Sequence, residues 1–422
     1  MNKTYKSVWN EALGAWVAVS ELETARGKRS KAGVGVKAAN HKSAATARSV
    51  WNLSMLSMAM LGALAILPAE SFAQAAGSTI SCKVGDGTNS MYCDPTSTAS
   101  STQAAGTESV AIGARAKATY YRDVALGADA KAQSAAASQT PAVAVGAGAS
   151  ATGKYATVVG AQATANGDNS IAIGGLSKSL YGQAIAVGTN AETKGVNAVA
   201  VGFAASAAAQ STTIGSYAAA TGTFASAVGY KSSAVGSNSV AMGNLSAATG
   251  VRSAALGAMS AAGAYGVSLG YSANGGSAAK GQSAIAIGRD TTSSGLSSIA
   301  IGGNTFDSLP GTRATNDEAI AIGNQSLSSG IRSTSIGSEA KALATDSISI
   351  GTGNVVVGTG SAAIGDPSRV EGTSDYSYGH NNGIGATTSN TYVLGGMNDV
   401  GGTASRDANG IVDPNVALTR AC

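Results

Sequence analysis

A glycine-closed unit of about fourteen residues recurs through most of the 422-residue chain. Each unit ends in an aliphatic residue, a small residue, a second aliphatic residue and Gly, as in IAIG at residues 171–174. Self-similarity at a short fixed period is the signature of a solenoid, in which each repeat packs only against its neighbours. The repeat therefore predicts an all-β stacked structure, a flattened parallel β-roll, over residues 108–398.

A second Gly often follows the closing Gly by seven residues, as Gly167 follows Gly160. Each repeat is therefore interpreted as two short strands, each followed by a Gly turn that uses positive φ. Period-two alternation predicts that Ile171 and Ile173 point into the roll. Small residues on the second strand, such as Ala163, leave room for them.

In this interpretation the residue between the two aliphatics points outward. A solvated strand face would carry charged or larger polar residues, whereas a column of Ala permits the close approach of another chain. The column predicts a homo-oligomer. Its members include Ala172, Ala186, Ala200, Ala241, Ala286, Ala300 and Ala321.

The amino-acid composition excludes several other classes of protein. The chain has 57 Gly but only 6 Pro, too few for a collagen helix, and only 12% charged residues. Residues 1–50 carry 9 Lys/Arg against 3 Asp/Glu, which leaves the remaining chain close to neutral. No basic stripe remains for nucleic acid, so nucleic acid is not an expected partner.

The N-terminal region has the order of a secretory signal. A basic region, residues 1–52, precedes an uncharged apolar core at 53–67, which we expect to be a helical signal segment. Small residues follow Pro68, and we place cleavage after Ala73, with Ala75 and Ala76 as alternatives. Residues 1–73 then form the signal peptide.

The first thirty residues resemble the extended signal peptide region of large Gram-negative autotransporters. The matching features are Met1-Asn2-Lys3, Trp9-Asn10, Trp16-Val17 and the basic cluster Arg26–Arg29. The resemblance implies a Sec-exported protein bound for the outer surface.

The repeats resemble the YadA-type head of trimeric autotransporter adhesins, whose signature is S-[IV]-A-[IV]-G at about fourteen residues. Residues 379–399 also resemble the closing repeats of such heads. The resemblance implies a left-handed parallel β-roll, a homotrimer, and attachment to host extracellular matrix proteins or cell-surface receptors, with a role in virulence or autoaggregation.

The stretch after residue 398 departs from that family pattern. Residues 399–422 show neither heptads nor alternating membrane strands, and we expect an irregular end. The outer membrane is then reached only through a C-terminal anchor absent from this chain, so the polypeptide alone is expected to be periplasmic or secreted. A fragment and a non-functional truncated gene product both stay open.

The Ser/Thr/Gly-rich segment 74–107 contains Cys82 and Cys93. An oxidising compartment favours a disulfide between them, with free or intermolecular thiols as the alternative.

Chemistry-bearing motifs are weak. The sequence GASATGKY, residues 148–155, lacks the Ser or Thr that a P-loop needs after Lys154, and neither Ser277–Lys280 nor Gly358–Gly360 has its required context. After signal removal only His380 remains as an imidazole. We therefore expect no enzyme, no catalytic residue, no cofactor and no metal.

Three insertions break the period, at 133–141, 275–281 and 304–316. The last carries Phe306, Asp307, Leu309 and Arg313 on a loop that either binds a ligand or is passive. The ligand-binding residues stay unknown, and an ice- or glycan-binding solenoid is the alternative function.

Overall fold

The computed structural model describes residues 5–10, 15–20, 81–94, 102–134, 140–271, 278–304, 310–407 and 411–418. The chain divides into two units, Met1–Ala73 and Gln74–Cys422. In the first unit, Tyr5–Asn10 and Ala15–Ser20 are paired antiparallel strands. Both segments are rich in Val and aromatic residues, which favour strands. The apolar core 53–67 and the cleavage site at Ala73 lie outside the described residues.

The second unit is an all-β solenoid of fourteen-residue turns, as the repeat predicts. Each turn contributes one strand to a first sheet and one to a second sheet, and successive turns pair in parallel. The first sheet contains Ser81–Val84, Met91–Asp94, Val110–Ile112, Val124–Leu126, Val143–Val145, Thr157–Val159, Ile171–Ile173, Ile185–Val187, Val199–Val201, Thr212–Ile214, Ser226–Val228, Val240–Met242, Ala254–Leu256, Val267–Leu269, Ile285–Ile287, Ile299–Gly303, Ile320–Asn324, Thr334–Ile336, Ile348–Ile350, Ala362–Ile364, Tyr376–Tyr378 and Tyr392–Leu394. The second sheet contains Gln103–Ala104, Lys117–Ala118, Lys131–Ala132, Ser150–Ala151, Thr164–Ala165, Lys178–Ser179, Glu192–Thr193, Ser206–Ala207, Ala219–Ala220, Ser233–Ala234, Ala247–Ala248, Ala261–Ala262, Ala278–Ala279, Thr292–Ser293, Arg313–Ala314, Leu327–Ser328, Lys341–Ala342, Val355–Val356, Arg369–Val370, Gly383–Ile384 and Asp399–Val400.

The side chains of the first sheet point opposite to the predicted direction. The central residue faces inward, and Ala172 and Ala186 are 0% exposed, whereas Ile173 faces outward and is 39% exposed. Ala163, Ala165 and Ala172 belong to one buried cluster, which consists mostly of Ala because a fourteen-residue turn leaves little room between the two sheets. The period-two alternation was therefore predicted in the wrong phase, and the Ala column forms the core.

The two glycines of a repeat are required for different structural reasons. The closing glycine Gly174 has the predicted positive φ, 120°, and a Cβ there would also lie 2.6 Å from the carbonyl carbon of Gly188. The seventh-position Gly167 has no positive φ, but a Cβ would lie 1.9 Å from the carbonyl oxygen of Tyr181. Positive φ at this corner is therefore a wrong prediction for Gly167, and close approach of the next turn requires the glycine instead.

The left-handed corner positions are filled by other residues. Gln162 and Asn169, one at each corner of a turn, both have φ 56°. The inter-turn backbone bonds hold them there, since the N–H of Asn169 donates to the carbonyl of Lys154 at 2.7 Å. These corners repeat along the stack and leave side chains of any type at the surface.

Several buried serines bond to a backbone carbonyl of their own turn. The hydroxyl of Ser170 donates to the carbonyl oxygen of Gly167 at 2.6 Å, and Ser333 does the same to Gly330 at 2.7 Å. A buried hydroxyl without a partner would cost free energy. At Ser170 and Ser333 this local bond offsets the burial of the hydroxyl.

The solenoid extends to residue 400, where Asp399–Val400 pairs with Gly383–Ile384. The following segment folds back onto the last turns. The guanidinium of Arg369 donates to the carbonyl of Pro414 at 2.6 Å, and the N–H of Leu418 donates to Glu371 at 3.1 Å.

Candidate functional surface

One face of the described part of the solenoid is mainly apolar. This outer apolar face consists of the residues on either side of each buried central residue in the first-sheet strands. Ile214 is 45% exposed and Leu269 is 44% exposed. A contiguous apolar surface of this extent marks an interaction site in a soluble domain.

The outer face of the second sheet is different in chemistry. Its outward positions include Lys117, Lys131, Lys178, Glu192 and Lys341, each followed by a buried residue. Charged side chains on an outward strand position are typical of a solvated face. The outward residues of the two sheets therefore differ in chemistry, since those of the first sheet are mainly aliphatic and those of the second include charged side chains.

The segment before the first repeat caps the stack. Cys82 and Cys93 are opposite each other on the antiparallel strands Ser81–Val84 and Met91–Asp94, with their sulfur atoms 2.00 Å apart. The second of these strands pairs in parallel with Val110–Ile112 and so begins the first sheet.

Asp123 holds the ends of the first insertion together. Its carboxylate accepts hydrogen bonds from the backbone N–H of Tyr120 at 2.8 Å and of Ala142 at 2.9 Å. The side chain is buried, and burial raises the pKa of this carboxyl. The carboxylate therefore links the turn at Tyr120 to the chain at Ala142.

The other insertions yield no assembled site among the described residues. Phe306, Asp307 and Leu309 lie outside those residues, and Arg313 begins the second-sheet strand Arg313–Ala314. In the described part of the chain, no group of three or more His, Cys, Asp or Glu side chains is placed to hold a metal ion.

Exposed ion pairs join neighbouring turns at the corners. Arg115 donates to Asp129 and Arg332 donates to Asp346, both one repeat apart. The hydrogen bond from arginine holds the pKa of each aspartate below its usual range. Because the pairs are exposed, salt screens them and they contribute little to stability.

The P-loop-like segment forms an ordinary corner. Tyr155 is at the left-handed position with φ 56°, and the backbone N–H of Lys154 donates to the side chain of Asp168 at 3.0 Å. A carboxylate at that N–H opposes a phosphate group by charge.

A group of aromatic residues at one corner of the solenoid was not identified from the sequence. Phe203, Tyr217 and Tyr230 occupy three successive turns just after their closing glycines, and Lys231 follows directly. We call these four residues the aromatic strip. The signal was present in the sequence, because aromatic residues are scarce in the chain and three of them fall within two residues of the closing glycine in consecutive repeats.

Among the described residues, no helix has the length and hydropathy to cross a membrane. No curated protein matches the chain. Residues 1–52 match the family model described as the extended signal peptide of the type V secretion system, which indicates export through Sec. Nine segments match the YadA head domain repeat: residues 104–130, 137–163, 151–177, 182–205, 220–246, 234–260, 279–305, 314–340 and 328–354. With this leader before a solenoid of head repeats, the chain belongs to the trimeric autotransporter adhesins.

Proposed function

We propose that the chain is the head of a homotrimeric surface adhesin and that three copies pack through the outer apolar face. The observation that carries the proposal is the row of half-exposed aliphatic side chains, represented by Ile173, Ile214 and Leu269. Each Å² of such apolar surface that an assembly removes from water stabilises it by about 25 cal/mol. The charged second-sheet face then stays in solvent.

The assembled head attaches to host extracellular matrix proteins or cell-surface receptors, and contributes to virulence and autoaggregation. A rod of repeated turns offers many equivalent weak contacts, and in a trimer these contacts act together, so modest individual affinities give firm attachment. The chain is a binding protein without catalysis. Its stacked turns offer a regular surface in place of an enclosed reaction site.

Light scattering of the exported chain tests the assembly, and the expected mass is three chains. Attachment is tested with immobilised collagen, fibronectin and laminin and with intact epithelial cells. Binding to at least one of these surfaces is expected. A monomeric mass would contradict the assembly, and failure on every surface would contradict adhesion.

A further inference from the structure

We infer that the aromatic strip is a binding site for an acidic polysaccharide. The inference rests on the proposed adhesive function and adds a location and a ligand class.

The strip is a continuous row of rings. The ring centroids of Phe203 and Tyr217 are 5.1 Å apart, and those of Tyr217 and Tyr230 are 6.3 Å apart, with each pair edge to face. The backbone fixes this spacing, because the N–H of Tyr217 donates to the carbonyl of Phe203 at 2.8 Å. A ligand therefore meets rings that are already ordered, which lowers the entropic cost of binding.

The rings expose the kind of surface that sugars recognise. Phe203 is 43% exposed, Tyr217 is 50% exposed and Tyr230 is 45% exposed. The electron-rich faces of aromatic rings attract the C–H groups of a pyranose, while the sugar hydroxyls stay in water. A row of three rings on successive turns suits an extended chain of sugars better than a single small molecule.

The positive charge around the aromatic strip favours an acidic polysaccharide over a neutral one. Residues 193–289 contain no Asp or Glu, but they contain Lys194, Lys231, Arg252, Lys280 and Arg289. The ammonium of Lys231 lies 5.2 Å from the ring centroid of Tyr230 and 6.0 Å from that of Tyr217. A cation beside the rings, within an acid-free stretch, attracts carboxylate or sulfate groups and repels basic ligands.

A proline-rich triple helix is the competing ligand, because proline rings also pack on aromatic side chains. Such a ligand does not require the acid-free surroundings, so the charge favours the polysaccharide. Binding of collagen that depends on the strip, in place of acidic glycans, would overturn the inference.

The test measures binding of the exported chain to a heparin oligosaccharide, to polygalacturonate and to neutral dextran. Tyr217→Ala is compared with Tyr155→Ala, because both tyrosines have nearly equal left-handed φ, 57° and 56°, and similar exposure, 50% and 53%. Lys231→Gln is compared with Arg252→Gln, a cation in the same acid-free stretch at the opposite corner.

We expect the acidic glycans to bind and dextran not to bind. Tyr217→Ala should weaken binding by about tenfold, and Lys231→Gln should weaken it and reduce its dependence on salt. The two control variants should bind like the unchanged chain. Equal losses in Tyr155→Ala, equal binding of dextran, or a Tyr217→Ala chain that no longer assembles would each overturn the inference, the last because the strip would then be a contact between copies.

The same measurements separate this inference from the proposed function. A chain that attaches to cells but binds none of the acidic glycans keeps its adhesive function and loses this site. A chain that binds heparin through Tyr217 but attaches to no matrix protein or cell keeps the site and loses the adhesive function.

Discussion

Asp123 and Ala142 are joined across a break in the repeat, where the buried carboxylate of one accepts the backbone N–H of the other at 2.9 Å. Replacing Asp123 with Ala leaves this N–H and that of Tyr120 without an acceptor. We expect a loss of about 1–3 kcal/mol in the free energy of unfolding. Chemical denaturation measures it, and Asp129→Ala, which removes an exposed carboxylate, should leave the midpoint nearly unchanged.

Asp123 also gives the fold a pH dependence. Because burial raises its pKa in the folded chain, protonation is favoured more in the folded state than in the unfolded state. The contribution is fully present below the usual carboxyl pKa and is lost as the pH rises through the raised value. The melting temperature of the unchanged chain, relative to that of Asp123→Asn, should rise as the pH falls from 7 towards about 4. The lowered pKa values of Asp129 and Asp346 act in the opposite direction, and added salt should remove their part.

The N-terminal cap should depend on oxidation. A disulfide that closes a short loop such as Cys82–Cys93 stabilises by about 2–3 kcal/mol through the unfolded state. Reduction should therefore increase hydrogen exchange in residues 81–94 before it affects the central turns. Peptide mass mapping of the oxidised protein should recover Cys82 linked to Cys93. A link from either of them to Cys422 would contradict the pairing.

Replacing two glycines by Ala should have opposite effects on stability, because an added Cβ clashes with the next turn at Gly167 and has room at Gly182. Gly167→Ala places a Cβ against the backbone of Tyr181, so the next turn must move and the protein should lose stability. At Gly182 the nearest atom to an added Cβ is the carbonyl oxygen of Asp168, 3.7 Å away, and φ is not left-handed. Gly182→Ala should raise stability by about 0.4–1 kcal/mol. Thermal unfolding of both variants decides this, and similar losses at the two positions would contradict the geometry.

Lysine substitutions at two neighbouring residues of one strand should have different effects, one on folding and the other on assembly. Ala186 is fully buried, and Ala186→Lys places an unpaired charge in the core, so the chain should fail to fold. Ile185→Lys places the same charge on the outer apolar face, so the chain should keep its β circular dichroism and lose its oligomeric mass. Ser150→Lys on the second-sheet face should change neither. Assembly that survives Ile185→Lys would place the contact elsewhere.

Signal processing has a spectroscopic consequence. Trp9, Trp16 and Trp51 all precede the predicted cleavage site at Ala73, and the rest of the chain has no Trp. Exported protein should therefore show tyrosine emission alone. Indole emission from material recovered outside the inner membrane would mean that the leader is retained.

The repeat period predicted the solenoid, because one unit per turn is a property of spacing. Spacing alone did not predict which side of a three-residue strand is the core. Hydrophobicity placed Ile171 and Ile173 inside, but the two sheets enclose the central residue of each strand, which is mostly a small one such as Ala172. The aromatic strip was missed for a related reason, since its rings meet only when residues fourteen or thirteen apart are stacked.

In the central part of the solenoid, the backbone of each turn bonds to the turn before and the turn after it, as when the N–H of Ile171 donates to the carbonyl of Ala184 at 2.9 Å. A whole turn can therefore be added or removed without rebuilding a central core. The number of repeats therefore determines how far the head reaches from its point of attachment, while the cross-section and the exposed faces stay the same.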